Sequence, residues 1–63
     1  MNKQELILAI SQIADEITRQ AQKLKLVSRD IRFREQAQAA SLKLRQAEIE
    51  LRLLQEKVRD ESE

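Results

Sequence analysis

Leu24-Lys25-Leu26-Val27-Ser28-Arg29-Asp30-Ile31-Arg32-Phe33-Arg34 is where two helical patterns fail to join. Upstream, Ile7, Ile10, Ala14, Ile17, Ala21 and Leu24 alternate spacings of three and four. Ile10, Ile17, Leu24 and Ile31 recur every seven, so the same stripe should next reach positions 38 and 45, which are Gln38 and Arg45. The apolar residues instead pass through Phe33, Ala37, Ala40, Leu44, Ala47, Leu51, Leu54 and Val58. A slip of one or two residues rotates an apolar face by roughly 100° or 200°. Coiled-coil stutters insert four residues or delete three, so one continuous seam does not absorb this slip.

A turn near Ser28-Arg29-Asp30 removes the conflict, because Ser and Asp compete for backbone hydrogen bonds and favour caps. The expected fold is all-α. It is an antiparallel helical hairpin with a helix over about 3–27, a turn over about 28–30 and a helix over about 31–60, in a single domain spanning 1–63. The alternative is a single long coiled-coil helix, bent at the slip, since no glycine marks a C-cap. The chain has no glycine or proline at all, the residues that most often interrupt helices.

Outward from the turn, each pattern reads as an amphipathic helix. Leu6, Ile13 and Val27 widen the first stripe, and Leu42, Ile49 and Leu53 flank the second. Stripes of this width suit a bundle better than a two-stranded zipper. Asn2 and Glu5 have the spacing of a capping box, and Asp30 is expected to cap the second helix. Opposite charges four apart, at Asp15–Arg19, Asp30–Arg34, Glu48–Arg52 and Lys57–Glu61, would each add a few tenths of a kcal/mol. Folding about residues 29–30 would set Leu24 near Phe33 and Ala37, Ala21 against Ala37–Ala40, Ala14 against Leu44, and Ile10 against Ile49 or Leu51.

A core of this size is marginal, and chains under roughly 70–80 residues usually gain disulfides, a metal or a partner. With 63 residues and neither Cys nor His, self-association is the route that remains. One hairpin leaves part of each stripe uncovered, and two could bury it as an antiparallel four-helix bundle. A homodimer is therefore expected, or capture of a partner protein's helix.

The same composition argues against catalysis. Without His, Cys or Tyr the available groups are carboxylates, amines and a few hydroxyls, and Ser11, Thr18, Ser28 and Ser41 have no histidine base; without glycine there is no phosphate-cradling loop. We expect no enzyme, no cofactor, no metal site and no catalytic residues. The longest apolar run, Leu6–Ile10, is far short of the roughly 20 residues that cross a bilayer. It is also short for a signal-peptide core. The absence of cysteine suits a reducing compartment, so an intact cytoplasmic chain without membrane association is expected.

Charge is unevenly spread along a chain of net charge +1. Residues 1–18 carry −2, residues 19–34 carry +5 and residues 35–63 carry −2. In a hairpin this makes the turn end basic, with Lys23, Lys25, Arg29, Arg32 and Arg34 as a candidate contact patch. Such a patch could orient a dimer, dock an acidic protein or hold a phosphate backbone. The expected function is a non-enzymatic helical protein–protein interaction module: a small adaptor, regulator or assembly chaperone. Its interaction core would be the two stripes themselves. A nucleic-acid-binding regulator using the basic patch is the first alternative, and a structural coiled coil the second. Nucleic acid is less favoured, because Phe33 is the only aromatic residue and base stacking uses aromatic side chains.

Overall fold

In a computed structural model, which describes residues 2–61, the chain doubles back as a hairpin of two helices. Helix α1 spans Lys3–Val27 and helix α2 spans Arg34–Asp60. They pack against each other.

Helix α1 starts as its sequence requires. The Glu5 amide donates to Asn2 Oδ1 at 2.8 Å, and Asn2 Nδ2 donates back to Glu5 Oε1 at 3.4 Å. One orphan N–H of the first turn is thereby satisfied. At the other end, Ser28 keeps right-handed helical angles, and its amide donates to Leu24 O. Its hydroxyl donates to Lys25 O at 2.8 Å.

The reversal needs no glycine because no described residue has a positive φ. It is built from overlapping right-handed turns. The Arg29 amide donates to Leu26 O, Asp30 to Val27 O and Phe33 to Asp30 O, at 3.1–3.3 Å. The Asp30 carboxylate accepts the Arg32 amide at 3.0 Å and the Arg32 guanidinium at 2.8 and 3.1 Å. Arg34 Nε reaches back to Ser28 O at 3.0 Å. Asp30 therefore shapes the turn and does not cap α2. The N-cap of α2 is Phe33, which makes no side-chain cap bond. The turn accordingly runs to residue 33, and α2 begins about three residues later than expected.

That longer turn changes the register. Lys3 Nζ donates to Glu61 O at 2.8 Å, Gln55 Nε2 donates to Ile7 O at 3.2 Å, and Thr18 meets Glu48. Allowing for side chains leaning toward their helix N-termini, residue n of α1 stands level with roughly residue 62 − n of α2. The expected pairing of Ala14 with Leu44 is thus wrong by one helical turn, and Ala14 stands level with Ala47–Leu51. The levels of Ile10 with Leu51, Ala21 with Ala40 and Leu24 with Ala37 fit this register. Ile49, the other partner considered for Ile10, is 58% exposed.

The local ion pairs also differ from the expected set. Glu48–Arg52 forms, at 3.7 Å. Arg19 pairs with Glu16 rather than Asp15, Asp15 lies 3.8 Å from Arg52 across the hairpin, and Asp30 pairs with Arg32 rather than Arg34. Lys57–Glu61 is not an ion pair among the described residues; the Glu61 amide instead donates to Lys57 O. Where a second partner lies within reach, four-residue spacing alone does not choose between them.

Among the described residues only Ile10, Ala14 and Ala37 are buried, with Ala14 fully covered. The molecule measures 51 × 14 × 11 Å across its Cα positions, with a radius of gyration of 14.8 Å, against about 11 Å for a compact chain of this length. Its accessible surface is 5346 Å², whereas about 4,200 Å² is usual for a compact protein of this mass. Two rods lying side by side have one shared seam, so each keeps most of its surface.

Candidate interaction surface

The seam has two flanks of opposite character. At roughly 100° per residue, Ser11, Thr18 and Lys25 line one edge of α1, and Ser41, Glu48 and Gln55 line the matching edge of α2. Each set recurs every seven residues. Across this flank the Thr18 hydroxyl, which has one proton, lies between Ala14 O at 3.1 Å and the Glu48 carboxylate. Arg52 stands near both Glu48 and Asp15, and Gln55 reaches the backbone of Ile7. No buried side-chain polar atom among the described residues lacks a partner. This flank is a polar edge bridged at Thr18–Glu48 and Gln55–Ile7, with open grooves beside the bridges. It was missed in reading the sequence for apolar stripes, although its seven-residue repeat was available there.

The opposite flank carries apolar side chains and no cross-seam polar contact among the described residues. Leu6, Ile13, Ile17 and Leu24 supply it from α1; Ala40, Ala47 and Leu54 supply it from α2. Ile13 is 51% exposed and Leu54 46%, while Ile17, Leu24, Ala40 and Ala47 are half-buried. Of the residues expected to form the interaction core, Ile10, Ala14 and Ala37 are buried. Ile7, Ile17, Ala21, Leu24, Ala40, Leu44, Ala47, Leu51 and Val58 are half-buried. Phe33 and Leu54 remain exposed. The structure thus gathers these stripes along one seam and leaves one side of it open. A separate line, Leu42, Ile49 and Leu53, runs along the outer face of α2, turned away from α1.

The basic residues collect at the turn end but do not form one uniform patch. Arg32 is held by Asp30 and sits 5.1 Å from the Phe33 ring centroid, a cation–π distance. Arg34 is tied to Ser28 O. Lys23, Lys25 and Arg29 are exposed and take part in no ion pair among the described residues. Hydrogen bonds from the Arg32 side chain, then from its amide, hold Asp30 below its ordinary pKa of 3.8, and Asp30 raises that of Arg32. Glu16 is lowered from 4.5, first by the Gln20 amide and then by Arg19. These are exposed, local effects, and none gathers acid–base groups around a cleft.

Among the described residues no group of His, Cys, Asp or Glu is placed to hold a metal ion, and no helix is long and apolar enough to cross a membrane. The depressions along the hairpin, such as that between Leu24, Ser28, Ala37 and Ser41, are open grooves between side chains. What the geometry offers is a long apolar flank along the seam, a polar flank opposite it, and a second apolar line, Leu42, Ile49 and Leu53, on the outer face of α2. No known protein-family model matches the chain, and no curated protein or solved structure is significantly similar to it.

Proposed function

We propose that this chain is a non-enzymatic helical interaction module, an adaptor, small regulator or assembly chaperone of the cytoplasm. It would act by covering its open apolar flank with another helical surface. The observation that carries this reading is the asymmetry of the seam, with one flank bridged by polar contacts and the other left apolar and unbridged among the described residues. Leu6, Ile13 and Leu54 stay exposed on that flank beside half-buried Ile17, Leu24, Ala40 and Ala47, and a contiguous apolar patch of this kind marks a surface used for association. Helix-on-groove recognition needs only such a face, and homodimerisation into a four-helix bundle is its simplest form.

The test compares the parent with a chain carrying Ile13→Glu and Leu54→Glu. Both side chains are half-exposed, so helicity by circular dichroism should persist. Self-association and capture of any specific partner should be lost together. A parent chain that remains monomeric and captures no protein would remove the reading.

The gathering of cations at the turn supports the second reading, a nucleic-acid regulator. It requires affinity that falls steeply with salt and is lost when Arg29, Arg32 and Arg34 become Glu. Binding indifferent to those changes would eliminate it.

A further inference from the structure

The open flank is symmetric about one level of the hairpin, and we infer from this that its occupant is a second copy of the chain, inverted end for end. This inference rests on the interaction-module reading and specifies its partner. On α1, Leu6 and Leu24 are equidistant from residue 15, as are Ile13 and Ile17. On α2, Ala40 and Leu54 are equidistant from Ala47. Residues 15 and 47 stand at the same level, because the register places residue n opposite roughly 62 − n. A two-fold axis crossing the flank at that level, perpendicular to the helices, maps each pattern onto itself. It would set Leu6 against Leu24 of the other copy, Ile13 against Ile17, Leu54 against Ala40, and Ala47 against itself. Large side chains would meet small ones on α2, which lets those helices approach closely.

Charge selects the same arrangement. A two-fold axis parallel to the helices would also bury the flank, but it would stack two turn segments of charge +5. The inverted arrangement keeps the two basic turns at opposite ends and sets each beside the open end of the other copy, where Lys3, Arg52, Lys57 and Arg59 are balanced by Glu5, Glu56, Asp60 and Glu61. It also brings Lys43 of one copy alongside Glu50 of the other, twice, at the rim of the contact. Like charges brought together oppose association, and unlike charges specify register.

The area is sufficient. A flank about 51 Å long and 14 Å wide presents about 700 Å² per copy, close to the roughly 800 Å² per partner of a standard interface. The hairpin's surface exceeds that of a compact monomer by about 1,100 Å², so hiding such a face would remove somewhat more than half of the excess. The outer line Leu42–Ile49–Leu53 faces away from the seam, as do the exposed Leu8 and Leu26 of α1, so neither shares the flank that this axis crosses.

The test places a spin label on Arg29→Cys, an exposed turn residue, and measures the distance between copies in the full chain. The inverted dimer predicts about 45 Å, nearly the 51 Å length of the molecule. A distance under about 25 Å, two helix diameters, would overturn the orientation and leave the module reading standing. No inter-copy distance, with a monomer mass, would overturn the inference; partner capture then judges the module reading separately. The face is tested in parallel. Ile13→Glu should abolish the dimer with helicity retained, and Leu42→Glu should leave it intact. The reverse pattern would place the contact on the outer face of α2 and refute the assignment.

Discussion

Asp30 carries the turn through three contacts with Arg32, two from the guanidinium and one from the amide. Its carboxylate is held below the ordinary 3.8 by those bonds. A depressed folded-state pKa means that the contribution is complete above the unfolded value. It is lost as pH falls from about 4 through the lower folded value. Carboxyl titration by NMR should therefore give Asp30 a midpoint below 3.8, and Arg32→Gln should return it toward 3.8. A midpoint unchanged by that substitution would mean the contact is absent in solution. At the other end, Asn2→Ala removes the cap of α1 and should cost about 1 kcal/mol, read as a lower urea midpoint with unchanged slope. The Asn2 cap was legible from its spacing to Glu5. The role of Asp30 was not, because an Asp near a helix start reads equally as a cap or as a turn residue, and the choice depends on where the next helix begins.

At the scale of the element, the hairpin followed from one conflict between two periodic patterns, and the structure places its turn where they disagree. Its length was not legible. Ile31, Arg32 and Phe33 are ordinary helix residues, and nothing in them says that they lie outside α2. Three extra turn residues moved Ala14 from Leu44 to the Ala47–Leu51 level, and a seam cannot be paired correctly until its turn has been counted. The polar flank was overlooked for a related reason: Thr18 and Glu48 are thirty residues apart, and only the register joins them. Packing at the seam makes a sharp prediction. Ala14 has no exposed surface, so Ala14→Leu must force the helices apart, at a cost of about 1–3 kcal/mol in chemical denaturation. The same change at the exposed Ala39 should have little effect. Equal tolerance at both positions would contradict the observed seam.

For the whole molecule, three buried apolar side chains among the described residues are a thin basis for a stable fold, and a covered flank is what would add to it. Folding would then be coupled to association, and thermal stability should rise with protein concentration. The composition indicated a need for a partner, since it holds neither cysteine nor histidine. It did not indicate which side of the hairpin the partner would take, because the two flanks are distinguished only once α1 and α2 are set in register. Sedimentation equilibrium of the unmodified chain, from about ten to a few hundred micromolar, tests this most directly. A mass of twice 7.4 kDa, dissociating on dilution, is the predicted result. A mass of 7.4 kDa throughout, with the helices intact, would contradict it.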